Sequence, residues 1–294
     1  MSAVVETRGV TKRYRDVVAV DDVSIRLEEG RVYGLLGRNG AGKTTLMTML
    51  TAQEFATAGS IQVFGLDPVE HAAALARIAF IREGQKYPEG FKVKHVLAVA
   101  PSFYPGWDQA YADRLAAAFG LPADRPMRKL SRGQLSAVGV VIGLASRAPL
   151  TLFDEPYLGL DAAARQRFYD ELLADIAERP RTVLLSTHLI DEVSDLLEHV
   201  IVMDQGRILV DRDADELRGT AMTVAGRREA VDAFVAGREV LHRDGIGGLA
   251  TATVADVTDA DRQAATAAGL ELGTVSLQQL FVSITGTPEK GAHS

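Results

Sequence analysis

A glycine-rich segment that ends in Lys-Thr carries the clearest chemical signal in the sequence. Residues 37–44 read Gly-Arg-Asn-Gly-Ala-Gly-Lys-Thr and fit the pattern G-x-x-x-x-G-K-[ST] in full. Glycines let the backbone curl so that successive N–H groups point at phosphates, and a helix that begins there directs its positive end at the same anion. We expect Lys43 to bind the β- and γ-phosphates and Thr44 to bind Mg²⁺. The predicted nucleoside triphosphate site comprises Gly37, Arg38, Asn39, Gly40, Ala41, Gly42, Lys43, Thr44 and Thr45.

A pair of acidic residues supplies a second candidate for phosphate chemistry. The apolar run at 150–153 predicts a buried strand, and Asp154-Glu155-Pro156 follows it directly. A strand that ends in Asp beside a phosphate loop is expected to give the second Mg²⁺ contact. Glu155 would face the same site and act as general base towards water. Two acids and a proline could equally form a solvated turn, and the spacing from Lys43 does not decide between these alternatives.

The segment Leu130-Ser131-Arg132-Gly133-Gln134 predicts a second anion site. Ser131 can cap the following helix, and the Gly133 N–H adds a donor at its N-terminus. The segment resembles the LSGGQ signature of the ATP-binding-cassette (ABC) ATPases, with Arg132 in place of the first glycine. In that family two cassettes pair head to tail and enclose two ATP molecules. The resemblance therefore implies that Ser131, Gly133 and Gln134 contact ATP held by a second cassette.

Three further positions match the same family in order and spacing. Tyr14 resembles the aromatic residue that stacks on adenine. Asp161, in Gly159-Leu160-Asp161, resembles the D-loop residue that links the two sites of the dimer. His188, in Ser186-Thr187-His188, resembles the switch histidine that contacts the γ-phosphate. The resemblance extends over about residues 3–215 and implies that Lys43, Glu155 and His188 are catalytic.

The chain departs from the family pattern at a few positions. Where the family has its Q-loop glutamine, the sequence reads Ile81-Arg82-Glu83-Gly84-Gln85. Either Glu83 or Gln85 could lie near Mg²⁺, and we favour Gln85 because a neutral amide suits a mobile sensor of metal and water. Tyr157 stands where threonine is frequent after Asp-Glu-Pro, and we expect it to affect packing only. We expect Arg132 to be tolerated in the signature.

Alternating elements must position these residues. Residues 31–36 and 182–185 predict buried strands, residues 43–50, 135–145 and 162–178 predict helices, and residues 17–27 predict one half-buried strand. Strands that alternate with helices favour a parallel α/β sheet. The expected fold is α/β: a P-loop ATPase core with an N-terminal antiparallel β portion, and a helical subdomain at about 86–145.

A shift in composition near Gly219 predicts a domain boundary. We expect a cassette at residues 1–218 and a small α+β accessory domain at 219–294 that ends in a disordered tail. Residues 276–281, Ser-Leu-Gln-Gln-Leu-Phe, predict a capped final helix that could pack on the cassette.

Composition excludes several classes of function. The 294 residues include 32 Lys and Arg against 39 Asp and Glu, a formal charge of −7 that disfavours nucleic acid as a partner. Because there are no cysteines, thiol nucleophiles and Cys-ligated metals are excluded. No apolar stretch reaches the roughly 18 residues of a membrane span, and the N-terminus lacks a signal pattern, so a cytoplasmic location is expected.

The resemblance implies an ATP- and Mg²⁺-dependent subunit of an ABC transporter, of the exporter type. It would pair with a second cassette and with a separate membrane permease on the inner face of the plasma membrane. Residues 85–107, with Phe103, Tyr104 and Trp107, are the candidate surface for a permease helix, although for Trp107 we favour packing in the core of the helical subdomain. The alternative is an ABC ATPase without a transport role, acting on ribosomes, on DNA or as a regulator.

Overall fold

The computed structural model describes residues 2–286. The strands are β1 Ala3–Tyr14, β2 Val17–Val23, β3 Arg26–Glu28, β4 Val32–Leu36, β5 Ala58–Val63, β6 Ile78–Arg82, β7 Leu150–Asp154, β8 Thr182–Thr187, β9 His199–Asp204, β10 Arg207–Asp213, β11 Met222–Arg227, β12 Val240–Ile246, β13 Leu249–Val254 and β14 Glu271–Gly273. The helices are α1 Lys43–Leu50, α2 Ala72–Leu75, α3 Val93–Val99, α4 Gln109–Ala118, α5 Arg132–Ala145, α6 Ala162–Glu178, α7 Ile190–Val193, α8 Ala214–Gly219, α9 Arg228–Val235, α10 Asp259–Ala267 and α11 Leu277–Ile284. Across this described part, every helix is too short or too polar to cross a membrane.

The chain forms two compact units. One comprises the residues up to His188 together with His199–Asp211, and the other comprises Leu189–Glu198 together with the chain from Arg212 onward. The sequence predicts the boundary at residue 218. In the structure the second unit begins a few residues earlier, at Arg212, and it also includes Leu189–Glu198. The predicted disordered tail lies almost entirely at 287–294, outside the described residues.

A six-stranded sheet forms the centre of the first unit, in the order β10-β9-β4-β8-β7-β6. The neighbours from β9 through β4, β8 and β7 to β6 run parallel. Every residue of β4, β7 and β8 is buried, as expected for a parallel sheet covered on both faces. In this register Leu36 lies beside Thr187, and Asp154 lies between Arg82 and Ser186. The carboxyl ends of four strands therefore meet at one edge, and the predicted α/β fold is confirmed.

An antiparallel sheet at the N-terminus contains β1, β2, β3 and β5. The prediction of a single strand over residues 17–27 is wrong, because this region forms two strands, β2 and β3. Each of them pairs with a different half of β1. Asp22 has a φ of 53°, a left-handed conformation that bends the chain near the end of β2. The sheet packs its apolar side on α1 and β4 through Val5, Val20 and Leu46.

The helical segment between β6 and β7 contains α3, α4 and α5. A short turn at Ala100–Ser102, which contains Pro101, follows the end of α3 at Val99. The Asp108 carboxylate caps α4 by accepting from the Tyr111 N–H at 2.9 Å. From Ala137 onward α5 is buried and packs on β6 and β7. This helix therefore joins the segment to the sheet edge described above.

The second unit contains an antiparallel sheet in the order β12-β13-β11-β14. Its core includes Val224, Val231, Phe234 and Ala252, contributed by the sheet and by α9. The predicted final helix is present as α11, with the Ser276 hydroxyl accepting from the Gln279 N–H at 3.2 Å. It packs on α7 and α8, which belong to the same unit.

Candidate nucleotide-binding site

The phosphate loop joins β4 to α1 in a conformation that requires glycine. Gly42 has a φ of 103°, and a Cβ atom there would lie 2.3 Å from the Ala19 carbonyl oxygen. A Cβ atom at Gly37 would lie 2.4 Å from the Met203 carbonyl oxygen. Side chains at either position would collide with backbone, so the loop lies tightly against two neighbouring segments. The loop therefore presents its N–H groups from a fixed position in front of α1.

Lys43, the first residue of α1, is 95% buried in the loop. Its ammonium group donates to the carbonyl oxygens of Gly37 at 2.7 Å and Arg38 at 3.1 Å. Burial lowers the pKa of Lys43, and the carboxylates of Glu155 and Asp154 oppose that shift. The ammonium is thus held at the mouth of the loop, where a phosphate oxygen could replace its carbonyl partners.

Thr44 and Asp154 form the part of the site that suits a divalent cation. The Thr44 hydroxyl donates to Asp154 Oδ2 at 2.7 Å, and Asp154 is buried at the end of β7. A hydroxyl and a carboxylate oxygen are hard donors, which Mg²⁺ prefers, and Mg²⁺ keeps water and phosphate as its other ligands. The donors therefore fit Mg²⁺, and Thr44 and Asp154 are the residues that would hold it.

Glu155 lies between two of the other predicted catalytic residues. Its Oε2 is 3.2 Å from His188 Nδ1, and its Oε1 is 3.7 Å from Lys43 Nζ. The residue has a φ of 47°, in the left-handed region that costs non-glycine residues about 1–2 kcal/mol. Its N–H donates to the Ser186 carbonyl at 3.2 Å, which ties this conformation to β8. The strained turn directs the carboxylate into the cavity, where it can accept a proton from water.

Tyr157 contacts the histidine, a role that the sequence prediction missed. Its buried hydroxyl is 2.8 Å from Thr187 Oγ1, accepts from the His188 N–H at 3.2 Å, and lies 3.4 Å from His188 Nδ1. The prediction that Tyr157 affects packing only is wrong, because this hydroxyl fixes the end of β8 and the imidazole beside it. Its proximity to Asp-Glu-Pro was the available signal.

A cavity of about 600 Å³ lies in front of the loop, within the roughly 300–1,000 Å³ typical of small-molecule sites. The structure brings most of the predicted catalytic and phosphate-binding residues together around it. The lining residues are Ala19, Asn39, Gly40, Ala41, Gly42, Lys43, Thr44, Thr45, Glu83, Arg132, Asp154, Glu155, Leu158 and His188.

The structure places Glu83, rather than Gln85, at this cavity. Glu83 follows β6, its N–H donates to the Asp154 carbonyl at 3.0 Å, and its side chain lines the cavity. Gln85 instead lines an apolar groove on the helical segment, and its buried Oε1 has no hydrogen-bond partner within residues 2–286. The geometry therefore corrects the preference for Gln85: the strand pairing fixes Glu83 beside the magnesium donors.

Of the signature residues only Arg132 reaches the cavity. Ser131 caps α5 by accepting from the Gln134 N–H at 3.2 Å, and Gln134 Oε1 accepts from the Ser131 N–H at 3.1 Å. Gly133 lies against Gly159: a Cβ atom at Gly133 would be 2.5 Å from the Gly159 carbonyl oxygen. A contact of Ser131, Gly133 and Gln134 with the ATP of a second cassette stays a prediction.

Tyr14 and Asp161 also lie apart from the lining residues. Tyr14 is 42% exposed at the end of β1, with Lys12 Nζ 4.8 Å from its ring centre. The Asp161 carboxylate caps α6 by accepting from the Ala164 N–H at 2.8 Å. Stacking on adenine and contact across a dimer therefore stay predictions for these two residues.

Comparisons with known proteins agree with the geometry. Residues 20–158 match the family model described as ABC transporter. The chain is 31% identical over 224 residues to the Nod factor export ATP-binding protein I of Cupriavidus metallidurans, covering 74% of this chain and 73% of the relative. It is 29% identical over 308 residues to the daunorubicin/doxorubicin resistance ATP-binding protein DrrA of Streptomyces peucetius, covering 97% and 93% of the two chains.

A solved ATP-binding subunit of an ABC transporter shares the fold. The TM-score is 0.66 at 24% identity, over 74% of this chain and 92% of the other. The motifs, their geometry and the likeness to curated relatives agree with one another. The chain belongs to the family of ABC transporter ATP-binding proteins, and it is an ATPase cassette that uses ATP and Mg²⁺.

Proposed function

We propose that this chain is the ATP-hydrolysing subunit of an exporter-type ABC transporter, acting as a head-to-tail pair on a separate membrane permease at the inner face of the plasma membrane. The observation that carries the proposal is the meeting of Lys43, Glu155 and His188 at the cavity that also holds Thr44 and Asp154. The names of the curated relatives, which include export and resistance ATP-binding proteins, support the exporter class.

The arrangement assigns a task to each side chain. Lys43 and the loop N–H groups hold the transferred phosphoryl group, so most of the catalysis is positioning and charge stabilisation. Glu155 accepts the proton of the attacking water. His188, oriented by Glu155 and Tyr157, stabilises the developing charge on the γ-phosphate. Bound Mg²⁺ would neutralise phosphate charge beside Thr44 and Asp154.

Substitution of Glu155 by Gln tests this assignment. The amide keeps the size and the contact distance of the side chain but cannot accept the proton. We expect ATP binding to persist, steady-state hydrolysis to fall by at least 100-fold, and an ATP-dependent dimer to accumulate in light scattering. The matched control is Lys43→Ala, which should lose ATP binding. Hydrolysis at the wild-type rate in the Glu155→Gln protein would overturn the general-base role.

The apolar groove on the helical segment is the proposed docking site for a helix of the permease. It has a volume of about 760 Å³ and is lined by Tyr87, Phe91, Val96, Phe103 and Tyr104 among others. Phe103 is 66% exposed, and the buried Tyr87 hydroxyl has no hydrogen-bond partner in the described part of the chain. An exposed apolar surface with unsatisfied polar atoms suits an amphipathic helix from another subunit.

The absence of cysteine in the sequence makes this proposal testable by crosslinking. A single cysteine at Phe103 should crosslink to a membrane protein in native membranes. A single cysteine at Leu173, an exposed apolar position on α6, is the control and should not. Crosslinks at Leu173 alone, or a protein recovered only with ribosomes, would overturn the permease assignment.

A further inference from the structure

Arg132 and Glu83 form an ion pair at the nucleotide cavity. Arg132 is the first residue of α5, and Glu83 is the first residue after β6. Their side chains are 69% and 40% exposed, so both charged groups face the open cavity rather than the core. A ligand that enters the cavity meets both charges.

Contacts around this pair hold the N-terminal part of α5 against residues 158–159. A Cβ atom at Gly159 would lie 2.8 Å from Arg132 Cγ, so the aliphatic part of Arg132 lies over that glycine. The Ser136 hydroxyl donates to the Leu158 carbonyl at 2.5 Å. From this position over Gly159, the Arg132 guanidinium extends to Glu83. The ion pair is therefore the charged contact that ties the signature turn to the end of β6.

The charges of the cavity predict what Mg²⁺·ATP does to the pair. Mg²⁺·ATP brings a divalent cation into the cavity, where the cation competes with the Arg132 guanidinium for the Glu83 carboxylate through Coulomb forces at short range. The cation, held by Thr44 and Asp154, attracts Glu83, whose backbone is bonded to Asp154. An exposed ion pair is weak, so these stronger interactions can replace it.

We propose that the Arg132–Glu83 pair is a latch of the resting subunit, which Mg²⁺·ATP opens. While Arg132 and Glu83 are paired, the latch is closed and holds the first turn of α5, which carries the signature residues, at the subunit's own cavity. Once it opens, Glu83 turns towards the cation, and the first turn of α5 becomes free to approach a second cassette. This inference rests on the proposed function, since it assumes that the cavity takes Mg²⁺·ATP and that cassettes pair.

Hydrogen exchange of the full-length protein tests the latch. The readout is the exchange rate of the amides at residues 135–138, with and without Mg²⁺·ATP, while equilibrium dialysis checks that the nucleotide binds. The variants are Glu83→Gln, Arg132→Gln and the charge exchange Glu83→Arg with Arg132→Glu. The control is Asp124→Asn, which removes exposed ion pairs to Lys92 and Lys94 elsewhere on the same segment.

Without nucleotide, we expect both single variants to exchange two- to five-fold faster than wild type at 135–138. The exchanged pair should return towards the wild-type rate, and Asp124→Asn should match wild type. With Mg²⁺·ATP, wild type and the single variants should converge, because the latch is already open. Unchanged rates in the single variants, or a difference that persists with bound Mg²⁺·ATP, would overturn the proposal.

The outcome separates the latch from the proposed function. The comparison without nucleotide needs neither hydrolysis nor a partner, so it stands even if the wild-type protein proves inactive. Loss of hydrolysis in the wild type would overturn the proposed function, while the exchange rates would still report on the ion pair. Absence of Mg²⁺·ATP binding would overturn the opening step.

Discussion

Two arginine–carboxylate clusters hold the two ends of α5, and they differ in their burial. At the N-terminal end, Arg132 and Glu83 meet in an open cavity. At the other end, Arg147 and Arg181 both pair with Asp175 of α6, whose side chain is only 1% exposed. The buried cluster is shielded from solvent, whereas both side chains of the cavity pair are exposed to it. We infer that the ion pairs at the C-terminal end of α5 keep their partners, whereas Arg132 at the N-terminal end can exchange Glu83 for another partner.

Further contacts strengthen the buried cluster. Arg147 Nη2 lies 3.2 Å from Asp108 Oδ2, and its guanidinium lies 4.2 Å from the centre of the Tyr111 ring. Burial lowers the pKa of Arg181 to about 10, so this guanidinium still carries its charge at neutral pH. Asp108 also caps α4, so one network connects the ends of two helices with α6. Buried networks of this kind are strongly destabilised when one partner is lost.

The largest effect is expected at Asp175. Substitution by Asn leaves the Arg181 guanidinium buried without its counter-charge and leaves Arg147 with Asp108 as its remaining carboxylate partner. Breaking a buried pair costs about 3–5 kcal/mol. Urea unfolding should show that loss in the free energy of unfolding. The exposed carboxylate of Asp124 provides the control, since Asp124→Asn should change stability little. A near-neutral Asp175→Asn would remove the distinction between the two ends.

A smaller effect is expected from packing in the middle of α5. A Cβ atom at Gly143 would lie 2.5 Å from Phe153 Cε1 and 2.8 Å from Ile81 Cγ1. Overpacking of this kind costs about 1–3 kcal/mol, and the higher helix propensity of Ala offsets part of it. We therefore expect Gly143→Ala to lower the free energy of unfolding by about 1–2 kcal/mol.

The same helix offers a matched control for that change. At Gly139 the nearest atom to an added Cβ is a methyl carbon, Ile81 Cγ2, at 3.0 Å, a milder contact than the two at Gly143. Gly139→Ala should therefore be close to neutral in the same unfolding experiment. Equal losses at both glycines would show that the contact with Phe153 is not what seats this part of α5 on the sheet.

The smallest effect is expected from salt, which should act on one end only. The Debye length falls from about 10 Å at 0.1 M to about 3 Å at 1 M, and exposed pairs are screened far more than buried ones. At 1 M salt, exchange at residues 135–138 of nucleotide-free wild type should rise towards that of Arg132→Gln. Exchange at residues 142–146, next to the buried cluster, should stay constant. A rise at both ends would contradict the comparison.

The motifs and the family resemblance predicted that the phosphate loop, Asp154, Glu155 and His188 belong to one site, because each follows a buried strand that the sequence predicts, and the structure brings them together at one cavity. The helix over 162–178 has the predicted bounds of α6, since its apolar spacing and its Asp161 cap are local. Glu83 could not be separated from Gln85 on sequence alone, because the choice depends on where β6 ends against β7. The role of Tyr157 was hidden for the same reason: Thr187 and His188 are distant in sequence.

The organisation of the second unit also depended on long-range contacts. Composition indicated a change near Gly219, yet residues 189–198 belong with the C-terminal part of the chain because α11 packs on α7. Local patterning carries no information about such a partner. The predicted cap at Ser276, by contrast, needs only residues within one turn and is present.

The sequence by itself determined which residues are the candidates for binding phosphate, which strands are buried and which family the chain resembles, since these properties depend on local spacing and residue type. The tertiary structure decided which carboxylate stands beside the magnesium donors, which hydroxyl orients the histidine, and which arginine is buried and which exposed. Those properties are set by the register of strands and by the packing of segments far apart in the chain.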